Sequence, residues 1–215
     1  MKNVGIISVN HNAASIMTSY IQDKCKDFKI FNYLDTGLME LVNCEGKVTN
    51  NSINRLFALF NNIGPDNLNA ILLTCTVFSP YIDIFNSLFT VPIISVDKAM
   101  IDNAVLTDGK TMILCTFPAT VESTTFLFKN AEKKNSVKRN MKIELLKNAY
   151  DALQNGDKEK HDSIILNAIH QYENDFDQII LAQISMSYIA TMDNFKKPII
   201  TSPSSALASL QKALL

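Results

Sequence analysis

Tryptophan is absent from this chain, and glycine and proline number only six each. No apolar run is long enough to span a bilayer, which excludes a helical membrane protein. An excess of charge is missing too. Lys and Arg total 20 against 21 Asp and Glu, a formal net charge of -1, so nothing in the balance points to nucleic acid or to an anionic membrane. The opening Met1-Lys2-Asn3 passes at once into Val4-Gly5-Ile6-Ile7, which reads as a strand. The long apolar core and small-residue cleavage site of a signal peptide are lacking, so the expected location is cytoplasmic. None of the four cysteines, at 25, 44, 75 and 115, forms a C-x-x-C pair. In a reducing compartment they are expected to be free thiols. His161 and His170 are nine residues apart, not a helical ligand spacing, and no H-E-x-x-H occurs, so no metal site is expected. What is present is apolar material, 47% of 215 residues, enough for one large or two small α/β domains.

Short apolar runs alternate with longer helical stretches, the pattern of βα units around a parallel sheet. Strands are expected at 3–9, 28–33, 71–77 running into a polar turn, and 91–95, and helices at 13–24, 51–62 and from Pro80. Ile53, Leu56, Phe57 and Phe60 recur at helical spacing and are expected in the core. Residues 35–48 read as irregular, with turn signals at Thr36-Gly37 and Glu45-Gly46. The pattern then restarts near Asp97. Helices are expected to Leu106, at 119–130 and over 158–172, and strands at 111–115, 140–145, 179–185 and 198–201. The charged stretch from Lys129 to Arg139 reads as a solvated helix end and loop. A last helix is capped by Ser202 with Pro203 in its first turn.

The two halves read as one unit used twice. Ile71-Leu72-Leu73-Thr74-Cys75-Thr76-Val77 matches Ile179-Ile180-Leu181-Ala182-Gln183-Ile184-Ser185, and each leads through a helix to a Pro-led strand, Pro92-Ile93-Ile94-Ser95 or Pro198-Ile199-Ile200-Thr201. Two lobes related by a pseudo-twofold are expected, with Cys75 and Gln183 on opposite walls of one cleft. Residues 1–96 with 203–215 would form the Cys75 lobe, and 97–202 the Gln183 lobe. In open parallel sheets ligands bind beyond the carboxyl ends of the strands. Four such exits are polar here: Asn10-His11-Asn12, Thr74-Cys75-Thr76, Thr116 to Thr120, and Gln183 to Ser185. Each leads into a helix, whose first N–H groups and dipole favour an anion such as a carboxylate. Hydroxyls of Thr76, Thr116, Thr120 and Ser185 would add neutral donors.

Cys75 precedes a helix start marked by Ser79-Pro80, a setting that lowers a thiol pKa and makes it a base or nucleophile; free cysteines also serve as small buried apolar residues. For Cys25, Cys44 and Cys115 the packing role is the expected one. His11 is either a base or ligand donor or a solvated loop residue. His161 is expected on an exposed helix face. Asp35 either borders the cleft or caps the next turn.

Several stretches together resemble a known family: Leu73-Thr74-Cys75-Thr76 with Ser79-Pro80, Val91-Pro92-Ile93-Ile94 to Asp97, Thr116-Phe117-Pro118-Ala119-Thr120-Val121-Glu122, Tyr150 to Asp157 running into Lys160-His161-Asp162, and Leu181-Ala182-Gln183-Ile184-Ser185-Met186. Over nearly its whole length the chain is similar to the racemase-like branch of the aspartate/glutamate/hydantoin racemase superfamily. The resemblance implies an α/β fold of two flavodoxin-like lobes with parallel sheets and the site in the cleft between them. It implies a cofactor-independent racemase-like isomerase or lyase, metal-free, acting on a small carboxylic or amino acid, and a homodimer. Two-base members use one thiol per lobe. Cys75 matches the first; Gln183 stands at the second, and an amide has no titratable proton near neutral pH. The expected chemistry is therefore single-thiol: Cys75 as base or nucleophile, Asn10, Thr76, Thr116, Thr120 and Ser185 holding the carboxylate, Gln183 orienting the substrate. His11 as replacement proton carrier, redox sensing by Cys75, and a non-catalytic carboxylate-binding protein are the alternatives.

Overall fold

Strands buried on both faces read as unbroken apolar runs, and such strands belong to parallel sheets covered by helices. The computed structural model describes residues 1–63 and 67–215 and contains two such sheets. The chain divides into two units, Met1–Val96 with Pro203–Leu215, and Asp97–Ser202.

The first unit runs β1 (Lys2–Ser8), α1 (His11–Lys24), β2 (Phe28–Leu34), α2 (Thr36–Glu45), α3 (Asn50–Ile63), β3 (Ala70–Leu73), a 3₁₀ turn (Thr76–Tyr81), α4 (Ile82–Leu88) and β4 (Ile93–Ser95). Its sheet has the order β2-β1-β3-β4, all parallel, with Ile7 beside Leu73 and Leu73 beside Ser95. Two expectations are corrected here. Residues 36–45 are helical, because Gly37 stands in the first turn and Gly46, at φ 70°, is the left-handed residue that ends the helix. Those glycines mark helix boundaries, not a loop. Phe57 is not core: it stands 36% exposed on the flank of α3, its ring 5.3 Å from that of Phe89, while Leu56 and Phe60 are buried.

The second unit runs α5 (Lys98–Leu106), β5 (Lys110–Cys115), α6 (Pro118–Asn135), β6 (Asn140–Leu145), α7 (Lys147–Gln154), α8 (Lys158–Tyr172), β7 (Gln178–Leu181), a 3₁₀ turn (Ile184–Thr191) and β8 (Ile199–Ile200). The sheet order β6-β5-β7-β8 repeats that of the first unit. Along β5 successive side chains alternate between two cores: Ile113 and Cys115 join Met100, Ile101, Leu127 and Phe128 on one face, and Met112 and Leu114 join Ala149, Ile165 and Ile169 on the other. Helix α6 outruns its expected end, since Leu127, Phe128 and Ala131 continue the buried stripe beneath the lysines. Lys133 and Lys134 suit the negative end of the helix dipole, and Ser136, at φ 53°, closes it. The stretch Lys147–Gln154, not among the helices expected above, forms α7. Helix α9 (Ser202–Ala213) buries Ala206, Leu207 and Leu210, and from Pro203 onward counts with the first unit.

The repeat is visible bond for bond. Asp35 N–H donates to Ser8 O as Leu146 N–H does to Cys115 O. Thr74 N–H donates to Ile7 O as Ala182 N–H does to Leu114 O, and Phe78 N–H to Cys75 O as Met186 N–H to Gln183 O. Cys75 and Gln183 are therefore structural counterparts. No helix among the described residues is long and apolar enough to cross a membrane.

Candidate functional site

At the exit of β1 and β3 the hydroxyls close on the backbone. Thr74 Oγ1 donates to Ile7 O at 3.2 Å, so the 2.7 Å contact with Ser8 Oγ is a bond donated by Ser8. One residue on, Cys75 is 5% exposed, with its Sγ 4.0 Å from Met39 Sδ of α2. Cys75 occupies the cap position of a 3₁₀ turn of six residues that contains Ser79 and Pro80, and the expected helix follows as α4 from Ile82. Thr76 is buried in the same turn, and Ser79 Oγ accepts from Ser95 Oγ at 2.7 Å, tying the turn to the end of β4. Asn10 caps α1, its Oδ1 accepting Ala13 N–H at 2.8 Å. His11 is the exposed first residue of that helix, not a loop residue. Asp35, at the exit of β2, accepts two bonds from Arg55, Nε at 2.7 Å and Nη2 at 2.6 Å. The Arg55 guanidinium holds its carboxyl below the usual range and lies where a side chain at Gly37 would stand.

At the exit of β5 and β7 the arrangement differs. Thr116 N–H donates to Gln183 Oε1 at 2.7 Å, and Gln183 Nε2 donates to Thr116 Oγ1 at 2.8 Å. Both ends of the amide are thus joined to one residue on the neighbouring strand exit. Thr120 is buried in the first turn of α6, and Ser185 is half-buried in the turn after Gln183. Cys115, the counterpart of Ser8, is wholly buried and its thiol is pushed up to about 12 by loss of solvent, which makes it inert.

The first turn of α8 and the turn after Gln183 share a cluster that local patterns do not show. His161 is fully buried, not on an exposed face as its charged neighbours suggest. Its Nδ1 is 2.7 Å from Asp162 Oδ1, Lys158 Nζ is 2.8 Å from Asp162 Oδ2, and the Tyr188 hydroxyl also donates to Asp162. Lys158 stands 4.1 Å above the Tyr188 ring. Burial alone would raise Asp162, but the bonds from Lys158, Tyr188 and His161 outweigh it and hold the carboxyl below its ordinary value. Helix α8 runs antiparallel to the strands it connects, so its first turn lies at the strand exits. The one legible sign is Lys158 and Asp162 at i, i+4.

The structure therefore gathers Asn10, His11, Cys75 and Thr76 at the exit edge of the first sheet, and Thr116, Thr120, Gln183 and Ser185 at that of the second. Among the described residues no group of three or more His, Cys, Asp or Glu is placed to hold a metal ion.

No protein-family model matches the sequence, and no curated protein does. Solved structures do. An aspartate racemase from Picrophilus torridus superposes with a TM-score of 0.78 at 16% identity, covering 100% of this chain and 94% of that one. A glutamate racemase isoform from Bacillus anthracis gives 0.75 at 14% identity, over 99% and 81%. An aspartate racemase homologue from Pyrococcus horikoshii gives 0.71 at 14% identity, over 100% and 99%. The resemblance read from the sequence is met in three dimensions, and the chain has the two-sheet α/β fold of the aspartate and glutamate racemases.

Proposed function

We propose that this protein is a cofactor-independent, racemase-like isomerase or lyase that acts on a small carboxylic or amino acid through Cys75. The observation that carries the reading is the contrast between matched positions. Cys75 places a thiol at a polar strand exit, at the head of a turn and beside the soft thioether of Met39, whereas its counterpart Gln183 is an amide joined at both ends to Thr116. As thiolate, Cys75 removes the proton from the carbon beside the carboxylate, becoming the thiol, and the carbon takes a proton back from that thiol after exchange with solvent or, for inversion, from a second donor on its other face. At the exit of the first sheet the Thr76 hydroxyl and the Asn10 amide, and at that of the second the hydroxyls of Thr116, Thr120 and Ser185, are the donors offered to a carboxylate and to the charge that builds on it as the proton leaves. His11 is the exposed titratable group nearest in sequence to that edge and takes the role of an auxiliary proton carrier. The protein works in the cytoplasm as a homodimer on a small-molecule substrate, without metal, nucleic acid or membrane.

The test is exchange of the α-proton in heavy water, followed by NMR, with both enantiomers of aspartate, glutamate and alanine. Wild type is expected to exchange at least one of them, and Cys75→Ala to lose roughly a hundredfold or more of that rate. Unchanged exchange in Cys75→Ala refutes the thiol assignment. A second reading, a carboxylate-binding protein without turnover, is favoured by the tied amide of Gln183; it predicts saturable binding with no exchange.

A further inference from the structure

The amide of Gln183 fixes the direction of a hydroxyl. A backbone N–H only donates, so the Gln183 atom 2.7 Å from Thr116 N is the carbonyl oxygen, and the amide orientation follows from bonding. The other end is then the NH2 group, which only donates, and the Thr116 oxygen 2.8 Å away must accept. Thr116 cannot return its own proton to Gln183. Among the described residues no acceptor for that proton is recorded, although Thr116 is only 1% exposed. The first unit does the opposite: the Ser8 proton goes to Thr74 and the Thr74 proton to the carbonyl of Ile7, so that chain of hydroxyls ends within the sheet.

We propose that Gln183 is a positioning residue, which keeps the Thr116 hydroxyl proton uncommitted as a donor for a substrate carboxylate at the exit of β5. A carboxylate accepts only, so it is the group this uncommitted proton fits. The amide is then not a vacant thiol position. It exchanges a proton carrier for an aimed neutral donor. The inference rests on the reading that these strand exits receive a small carboxylate.

Gln183→Glu tests it, because the replacement keeps the shape and still accepts Thr116 N–H, but presents a second acceptor to Thr116 Oγ1. The hydroxyl must then turn inward and donate to the new carboxylate. Binding of L-aspartate, L-glutamate and acetate to the full chain is measured by NMR titration in wild type, Gln183→Glu, Thr116→Val, the double variant and Thr116→Ser. Thr116→Val is expected to lose roughly tenfold or more in affinity, the worth of one hydrogen bond to a charged group. Thr116→Ser keeps the hydroxyl and is expected to restore binding, which separates the donor from any effect on folding. The charge that Gln183→Glu adds is common to both backgrounds, so the cycle isolates what passes through the hydroxyl. The loss from Gln183→Glu is expected to be roughly tenfold larger with threonine at 116 than in the Thr116→Val background. Equal losses in the two backgrounds, or full affinity in Thr116→Val, overturn the positioning role while leaving Cys75 chemistry standing. Failure of wild type to bind any of the three probes overturns both.

Discussion

Four thiols share this chain, and their surroundings set them apart. Cys44 is exposed and Cys25 half-buried, while Cys75 and Cys115 are buried. Desolvation raises Cys115 to about 12, so almost none of it is thiolate near neutrality. Alkylation by iodoacetamide, read site by site by mass spectrometry, is expected to mark Cys44 first and Cys115 only after unfolding. Early labelling of Cys115 in the folded protein contradicts the burial argument. Asp35 carries a different signature. Its carboxyl is lowered by the two bonds from Arg55, so the pair stabilises the fold above the ordinary carboxylate range. That contribution is lost as pH falls through the lowered value. In acid titration Asp35→Asn is expected to flatten the stability profile of the first unit below about pH 4 and to leave its slope above that unchanged.

At the scale of elements, the cluster on α8 decides how the segment after β7 is held. Asp162 gathers bonds from Lys158, His161 and Tyr188, and Tyr188 belongs to the turn that begins just after Gln183. Asp162→Asn is expected to cost about 1–3 kcal/mol at neutral pH and Tyr188→Phe about 1 kcal/mol, measured by urea unfolding. Because they remove parts of one network, their effects should not add. The Asp162 carboxyl is lowered on folding, so the deficit of Asp162→Asn should shrink as pH falls through that lowered value and not as pH rises. A deficit independent of pH would show that the carboxylate charge contributes nothing. This cluster also shows where local patterns stop being informative. The strands are legible because apolar runs bounded by turns have few other uses, and Cys75 and Gln183 can be matched because the runs before them match. His161 reads as exposed because its neighbours Lys158, Glu159, Lys160 and Asp162 are charged, and only the fold reveals that one of those charges turns inward to pair with it. Helix α2 escapes the sequence for a related reason: Gly37 and Gly46 are turn residues in composition, and their place at the two ends of a helix depends on backbone angles. The Thr116–Gln183 bonds lie 67 residues apart in the chain, beyond any local pattern.

For the molecule as a whole, the division of the chain sets an asymmetry in stability. The second unit is continuous from Asp97 to Ser202, whereas the first is closed by Pro203–Leu215, added after the second is complete. Helix α9 gives the first unit Ala206, Leu207 and Leu210, all buried. Each buried leucine contributes about 1.5–3 kcal/mol, so losing the helix removes a large part of a margin that is typically about 5–15 kcal/mol. Truncation after Ser202 is therefore expected to destabilise one sheet selectively. Hydrogen exchange followed by mass spectrometry should show faster loss of protection in β1 and β3 than in β5 and β7. The equivalent strands are a fair comparison, because β3 and β7 are each buried along their full length and paired in the same order. Equal acceleration in both sheets would mean that α9 stabilises the chain as one cooperative body and that the first unit does not depend on it in particular. Selective loss would place Cys75, at the exit of β3, in the half of the molecule whose stability rests on α9.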